Sequence, residues 1–193
     1  MNKKLEDMSL DELWQLFPIF LVAPNADWES WYEEEKEAVL SLMPSDFFVR
    51  INHIGSTSVP NIWAKNIVDI LLEVKDCSAM EQVKELLLEH GWRCMNETKK
   101  RAYFNKGYTD AGFADRVFHL HLRLYGDCDE LYFCDYLRRH PEIAKDYERL
   151  KLSLWKKFEH NRDGYTEAKT DFIKKYTKLG KSEFTGTDRY PKS

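Results

Sequence analysis

The chain has 193 residues, is 43% hydrophobic and 14% aromatic, and carries a formal net charge of -4. Its length suits one domain with a substantial core, and its mild acidity disfavours nucleic acid or an acidic membrane surface as a partner. No apolar run approaches the roughly 20 residues that a membrane-spanning helix needs. The four cysteines form no Cys-x-x-Cys pair and the N-terminus has no signal-like pattern, so we expect free thiols and a cytoplasmic location.

Capping patterns predict two helices near the start of the chain. Ser9 with Glu12 forms a capping box and opens a short helix that ends before Pro18. Asn25 or Asp27 can cap a second helix. Its apolar face would comprise Trp28, Trp31, Tyr32, Val39, Leu42 and Met43. The acidic run at positions 33–37 is expected to be a solvated face of that helix, and residues 17–22 to be a short strand or an extended segment.

The middle of the chain predicts a sheet. Strands are expected at 47–54 and 67–74, followed by a helix that a second capping box, Ser78 with Glu81, opens and Gly91 closes. Residues 92–96 and 101–105 resemble a hairpin, and residues 116–125 a longer strand.

The rest of the chain predicts helices, at 129–139, from 141 to about 159, and from 165 to 179, with Gly180 as the end. The predicted fold is an α+β domain over residues 1–180, in which helices flank a mixed sheet and the C-terminal portion is helical. A flexible polar tail would follow over residues 181–193.

The turn after the first strand predicts an anion site. Gly55, Ser56, Thr57 and Ser58 follow an apolar run, and glycine lets the backbone approach a ligand while hydroxyls and amides donate to it. Lys65 lies shortly after this turn and can neutralise a phosphate group. We therefore expect a small phosphorylated ligand or a nucleotide as the partner.

Three further side chains can share this cleft. Asp69 lies within an apolar run, where an unpaired carboxylate is costly, so it should meet a cation, a donor or water. His119 and His121 lie on one face of a strand, about 7 Å apart, which suits a metal, a phosphate or a substrate if that strand neighbours Asp69. The alternative is a solvated face on which both imidazoles bond to neighbours. Arg101 can face the same cleft or lie in an exposed turn.

Helix positions outside this cleft are expected to be structural. Asp135 and Arg138 are spaced i, i+3 and can pair with each other. Lys151, Tyr165 and Lys169 lie in amphipathic helices, where lysine is usually solvated. Cys134 is expected to be a small core residue.

The segment from His53 to Pro60, followed by Ala64-Lys65 and Ile67 to Ile70, resembles the signature of the GrpB-like family. The resemblance continues at His119 to Leu122 and at Phe133 to Glu142, and covers about residues 18–179. The chain departs from the family pattern at three positions, where Asn61 replaces glycine, Asn66 replaces proline and Cys134 replaces arginine.

This resemblance implies a nucleotidyltransferase-like fold, and relatives of this kind also occur joined to dephospho-coenzyme A kinases. In that fold a Gly-Ser turn follows the first core strand, and an Asp-x-Asp pair on the next strand binds divalent metal. Gly55-Ser56 match the turn and Asp69 matches the first carboxylate. Leu71 stands where the second carboxylate belongs and cannot bind a metal. Glu73 is one pleat further along, about 7 Å away.

Two hypotheses follow. In the first, the protein is a nucleotidyltransferase-like enzyme in which Gly55, Ser56 and Thr57 hold phosphate oxygens, while Asp69 with His121 or His119 holds Mg²⁺, Mn²⁺ or Zn²⁺ or acts as a base. In the second, the fold is a non-catalytic binding or interaction module. We expect metal to bind only together with a phosphate ligand. A single cleft requires Asp69 and His121 to lie on one face, within roughly 12 Å.

Overall fold

The computed structural model describes residues 3–184. Its sheet has the strand order β1-β2-β5-β4-β3, with β2 parallel to β5 and the other neighbours antiparallel. The strands are β1 (Phe48–Ile54), β2 (Val68–Val74), β3 (Arg93–Glu97), β4 (Arg101–Thr109) and β5 (Gly112–Leu124). Strands β4 and β5 are longer than the predicted strands 101–105 and 116–125, and they form a hairpin with its turn at residues 110 and 111.

Helices flank this sheet on both sides. They are α1 (Leu10–Leu16), α2 (Asp27–Ser41), α3 (Cys77–Glu89), α4 (Asp129–Arg139), α5 (Pro141–Trp155), α6 (Arg162–Glu167) and α7 (Thr170–Glu183). The mixed sheet and the helical C-terminal portion confirm the predicted α+β fold class. Within residues 3–184, no helix is both long and apolar enough to cross a membrane.

The main core lies between one face of the sheet and helices α2 and α3. In β2 the alternate residues Ile70, Leu72 and Val74 are fully buried on this face, against Val39 of α2 and Val83 of α3 among others. Burying each such side chain contributes about 1.5–3 kcal/mol. Helix α4 covers part of the opposite face, where Leu71 packs in a smaller apolar cluster. A further cluster joins α4, α5 and α7.

Local sequence explains the helix ends, with one correction. The predicted capping box is present, because Ser9 accepts a bond from the Glu12 amide and Glu12 accepts one from the Ser9 amide. The capping box predicted at Ser78 is wrong: α3 begins at Cys77, and Asp76 accepts the Ala79 amide at 2.8 Å. A carboxylate is favoured there because it also meets the positive end of the helix dipole.

The acidic run of α2 is not wholly solvated, which corrects a second expectation. Glu35 is 8% exposed and pairs with Lys106 of β4 at 2.7 Å. Its position on the helix turns it towards the sheet together with Tyr32 and Val39. The ion pair therefore fastens α2 to the sheet instead of facing solvent.

The C-terminal helix also differs from its prediction. Asn161 caps α6 by accepting the Gly164 amide, so two helices, α6 and α7, replace the single one expected. Gly180 lies inside α7, where a Cβ would come within 2.6 Å of the Tyr132 carbonyl oxygen. The absence of a side chain thus allows α7 to pack closely on α4 instead of ending the helix. Of the predicted tail, 181–183 are helical, and residues 185–193 lie outside the described residues.

Candidate functional site

The predicted polar strand faces meet on the side of the sheet opposite the main core. Across β2, β5 and β4 the register aligns Asp69 with His119 and Asn105, Leu71 with His121 and Tyr103, and Glu73 with Arg123 and Arg101. Asp69 Oδ1 is 3.1 Å from His119 Nδ1 and 3.8 Å from His121 Nε2. The prediction that these three side chains lie together on one face is confirmed.

A cavity of about 800 Å³ opens between this face and helices α4 to α7. Among the residues predicted for the site, those that line it are Gly55, Ser56, Thr57, Lys65, Asp69, Arg101, His119 and His121. This volume is within the range of small-molecule sites, roughly 300–1,000 Å³.

Gly55 lets the turn approach the sheet. Its φ is +71° and its ψ is -172°, a conformation open essentially only to glycine. A Cβ at this position would lie 2.2 Å from Asp69 Oδ2. The glycine therefore brings the backbone of the 3₁₀ turn, Ser56–Ser58, against the carboxylate of Asp69.

The hydroxyls of the turn serve different purposes. The Thr57 hydroxyl donates to the Ile67 carbonyl and bonds His53 Nε2 at 3.0 Å, and Ser58 Oγ donates to the Gly55 carbonyl at 2.8 Å. Ser58 is not among the cavity-lining residues, so the prediction that it contacts the ligand is corrected: its short side chain is turned back onto its own turn. Ser56 lines the cavity, and its hydroxyl hydrogen-bonds the phenol of Tyr147, another lining residue.

His119 is held by partners on both ring nitrogens. Nδ1 faces Asp69 Oδ1, and Nε2 is 2.9 Å from the Tyr108 hydroxyl. Burial, together with nearby Lys65 and Arg162, lowers the pKa of His119 to about 4 despite Asp69. A neutral ring that donates from Nδ1 and accepts the Tyr108 proton at Nε2 satisfies all three groups. His119 thus orients Asp69 and is not free to act as a base.

His121 lies between two carboxylates. Its Nε2 faces Asp69, and its Nδ1 lies 3.2 Å from Arg123 Nη2 and 3.5 Å from Glu130 Oε1. Glu130 also accepts from the buried Arg123 at 3.0 Å. Burial opposes the charged ring, but Asp69 and Glu130 outweigh it and raise the pKa of His121. Burial likewise opposes ionisation of Asp69, but His119 and His121 outweigh it and lower its pKa. Glu130 on α4 was not anticipated from the sequence.

The donor set does not fit a two-metal site. Leu71 is fully buried at the position of the second carboxylate. Glu73 is also fully buried; it pairs with Arg50 and accepts the Gly126 amide at 2.8 Å, so it cannot replace that carboxylate. Within residues 3–184, no group of three or more His, Cys, Asp or Glu side chains is arranged to hold a metal ion.

Cations line the cavity in numbers that the sequence did not suggest. They are Lys65, Arg101, Lys151, Arg162, Lys169, Lys174, Lys178 and Lys181, against the carboxylates Asp69, Asp129 and Glu130. Arg101 pairs with Asp127 through two bonds of 2.6 and 2.7 Å, and Lys181 pairs with Asp129. Lys65, Lys169 and Arg162 make no ion pair with any residue from 3 to 184.

Three of these lysines are held in unfavourable surroundings. Burial, with the neighbouring cations Arg162 and Lys169, lowers the pKa of Lys65 to about 7. Burial lowers the pKa of Lys151 to about 7 and that of Lys169 to about 8. The expectation that Lys151 is solvated is wrong, since it is 2% exposed and donates to the Trp63 carbonyl.

The spacing of residues in the sequence does contain a signal for the lysines and Arg162 in and next to α6 and α7 that line the cavity, which we call the cationic wall. The lining residues of α6 and α7, together with Lys169, the N-cap residue of α7, recur every three or four positions: Arg162, Tyr165, Thr166, Lys169, Ile173, Lys174, Thr177, Lys178 and Lys181. Such spacing marks one helix face. Lysines on the same helix face as Tyr165 and Ile173 would not be expected on a face that packs only in an apolar core. Their presence there therefore indicates that this face covers a polar cavity.

The structure explains two of the three departures from the family pattern. Asn61 has a φ of +61°, and asparagine is one of the few residues other than glycine that adopt this conformation readily. Asn66 Oδ1 accepts the indole N–H of Trp28 at 2.7 Å, so it fastens α2 beside the cavity. Cys134 is buried, as predicted, with Sγ 3.8 Å from the Gly55 carbonyl oxygen.

Comparison with known sequences gives a consistent result. A family model described as GrpB protein matches residues 18–179. UPF0157 protein YqkA of Bacillus subtilis is 34% identical over 172 residues, which are 86% of this chain and 48% of that protein. UPF0157 protein PA4798 of Pseudomonas aeruginosa is 32% identical over 150 residues, 76% of this chain and 61% of that protein. The chain therefore spans only about half to three fifths of these relatives.

Solved structures agree with the sequence matches. The crystal structure of the conserved protein GrpB from Enterococcus faecalis is 30% identical, with a TM-score of 0.73, and covers 86% of this chain and 99% of that one. The match to the poly(U) polymerase Cid1 covers 74% of this chain and 43% of the Cid1 chain, at 12% identity and a TM-score of 0.42. This likeness says nothing about the activity of this chain.

Proposed function

The chain belongs to the GrpB protein family, and we propose that its cavity binds a phosphorylated small molecule of nucleotide size. The observation that carries this proposal is the concentration of lysine and arginine around one cavity in a chain whose net charge is -4. Like charges brought together in a partly buried site repel one another, and an anion relieves that repulsion. The ligand is therefore expected to carry several negative charges.

The half-buried Lys65 and the buried Lys151 supply the electrostatic part of this affinity. With pKa values of about 7, Lys65 and Lys151 are only partly protonated at neutral pH. A bound phosphate group favours their charged forms, so ligand binding and proton uptake are coupled. Tyr165 adds a neutral donor, because this residue lines the cavity and its buried hydroxyl has no hydrogen-bond partner within residues 3–184.

The Gly55 turn supplies the directional part of this proposed site. The first amides of a helical turn have no acceptor within that turn, and Ser56, which lines the cavity, adds a hydroxyl. Charge-assisted bonds from amides and lysine to phosphate oxygens are roughly twice as strong as neutral ones. The turn and the cationic wall would thus contact a bound anion from two sides.

A catalytic role is the second candidate, and the raised pKa of His121 favours it. A raised pKa makes His121 easier to protonate, and its Nε2, which is 3.8 Å from Asp69 Oδ1 and so not hydrogen-bonded to it, can pass a proton to a leaving oxygen in the cavity. The buried Leu71 and the occupied Glu73 weigh against metal-dependent nucleotidyl transfer. A binding module is therefore the better-supported hypothesis, and His121→Asn tests the other in any turnover assay.

Calorimetric titration with pyrophosphate and with adenosine diphosphate tests the binding proposal. Both should bind the native protein, and both should raise its melting temperature as concentration exceeds Kd. Lys169→Met should weaken binding, whereas Lys175→Met should not, because Lys175 lies on α7 outside the cavity, over the Tyr176 ring.

A steric variant locates the site independently of charge. Ser56→Leu should abolish the ligand-induced rise in melting temperature, because the larger apolar side chain would occupy the space beside the Gly55 turn where the anion is expected to bind. Binding that survives both Ser56→Leu and Lys169→Met would place the anion elsewhere, and the absence of binding by either phosphate compound would overturn the proposal.

A further inference from the structure

Asn105 is a buried amide with an unmet hydrogen-bonding requirement at the edge of the cavity. It lies on β4 beside His119 of β5, is 2% exposed and is among the cavity-lining residues. Its Oδ1 has no hydrogen-bond partner within residues 3–184. Buried polar side chains are almost always paired, because an unpaired one loses the bonds that it made with water.

The one partner of the carboxamide is weak. Asn105 Nδ2 lies 3.0 Å from Met95 Sδ, and a thioether is a poor acceptor. Exchanging the amide nitrogen and oxygen would only move the unmet bond to the other atom. Met95 is 55% exposed on the edge strand β3, so its flexible side chain can leave the amide without disturbing the core.

We propose that Asn105 recognises the planar edge of a nucleobase in the ligand. This inference rests on the proposed phosphate-binding function and deepens it, because it assigns the residue that would bind the base of a nucleotide whose phosphate groups are bound elsewhere in the cavity. An asparagine carboxamide offers a donor beside an acceptor, which matches the adjoining acceptor and donor of a base such as adenine. The same edge is lacking in pyrophosphate and in a simple sugar phosphate.

The neighbouring side chains suit a flat heterocycle. Tyr103 lies two residues away on the same face of β4 and lines the cavity; the Arg123 guanidinium is 4.3 Å from its ring centroid and the His121 ring contacts it at 5.3 Å. These contacts fix the orientation of Tyr103. Met95 provides a polarisable surface of the kind that packs against rings. The base would thus lie against fixed aromatic and soft apolar groups while Asn105 reads its edge.

Calorimetry with pyrophosphate, adenosine diphosphate and uridine diphosphate tests this assignment. At least one nucleotide should bind the native protein more tightly than pyrophosphate. Asn105→Leu keeps the branched shape and the number of side-chain heavy atoms but removes both polar atoms. In this variant that nucleotide should bind about fivefold more weakly, the effect of one lost net hydrogen bond, with pyrophosphate unchanged. The matched control is Asn52→Leu, since Asn52 Oδ1 is also buried without a partner but does not line the cavity.

Thermal unfolding separates recognition from a structural role. Because Asn105→Leu removes an unsatisfied buried amide, the ligand-free variant should melt at the same temperature as the native protein or higher. A lower melting temperature with unchanged nucleotide affinity would overturn the inference, as would nucleotides that gain nothing over pyrophosphate. If pyrophosphate itself does not bind, the proposed function fails and this inference fails with it.

Discussion

The Cα atom of Gly55 lies directly against the carboxylate of Asp69, so that a methyl group on Gly55 would come 2.2 Å from Asp69 Oδ2. This contact joins the turn after β1 to the second strand of the sheet. Asp69 is in turn oriented by His119, and His119 by Tyr108. The position of the turn thus depends on a chain of contacts that crosses three strands.

Gly55→Ala should therefore damage both the fold and the site. The clash with Asp69 and the unfavourable φ of +71° together should lower the free energy of unfolding by about 2–5 kcal/mol, measured by urea denaturation. Gly91→Ala is the control, because Gly91 also has a positive φ, +84°, but nothing lies within 4 Å of its added Cβ. That variant should lose only about 1–2 kcal/mol; equal losses in both variants would contradict a special contact at Gly55.

The cavity lysines predict a rise in stability with pH. The folded-state pKa values of Lys65 and Lys151 are lowered to about 7, and that of Lys169 to about 8, whereas an unfolded lysine titrates near 10.4. Between these values the unfolded chain binds more protons than the folded one. The free energy of unfolding should therefore increase from pH 7 towards pH 10, by at most about 1.4 kcal/mol per pH unit for each lysine.

Anion affinity should change in the opposite direction. Sulfate keeps its charge between pH 6 and pH 9, so any change in its binding reports on the protein. As the cavity lysines lose their protons, the affinity for sulfate should fall, and calorimetry at several pH values measures this. Lys65→Met should flatten the pH profile and stabilise the ligand-free protein near pH 6; an unaltered profile would show that Lys65 does not contribute.

The sequence predicts the sheet side of the site better than the helical side. Asp69, His119 and His121 are found together because strand alternation assigns side chains to faces without knowledge of neighbouring elements. Lys151 and Lys169 are misjudged because helical periodicity shows which residues share a face but not what that face covers. The cavity exists only once α5 to α7 fold back over the sheet.

Local hydrogen bonds account for the remaining errors. A serine after glycine offers a hydroxyl to a ligand or to its own turn, and the sequence does not distinguish Ser56, which lines the cavity, from Ser58, which bonds the Gly55 carbonyl. Likewise Glu35 belongs to an acidic run, and only the approach of Lys106 from β4 makes it a buried pair. Such partners are distant in sequence and become visible only with the tertiary structure.

Tyr108→Phe should remove the hydrogen bond to His119 Nε2 and raise the pKa of His119. Without the Tyr108 hydroxyl, Nε2 loses a donor that favours the neutral ring, so the pKa of His119 should rise from about 4, as measured by NMR titration of the imidazole. The variant should be about 1 kcal/mol less stable at pH 7. In the native protein the neutral ring also implies a loss of stability as pH falls from about 6.5 to 4, since the unfolded imidazole takes up its proton first. A pKa unchanged in the variant would contradict this role for Tyr108.

Metal binding should be weak in the ligand-free protein. Asp69 is the one carboxylate on the β2 face that lines the cavity, and its Oδ1 already faces both histidines. Titration calorimetry with Mg²⁺, Mn²⁺ and Zn²⁺ should give no tight binding without nucleotide, and measurable binding only when phosphate oxygens complete the coordination shell. Tight stoichiometric binding without nucleotide that is lost in Asp69→Ala would reveal a preformed site and favour catalysis.

Leu71→Asp should not restore a metal pair. Leu71 is fully buried and packs with Ile54, Leu131 and Cys134 under α4. An aspartate there would be an uncompensated buried charge, so urea denaturation should show a loss of about 3–5 kcal/mol, against less than about 1.5 kcal/mol for the volume-conserving control Leu71→Met. If Leu71→Asp instead folds with native stability and gains stoichiometric Mg²⁺ binding, the sheet is still open to a second metal ligand, and metal-dependent transfer becomes the stronger hypothesis for this family.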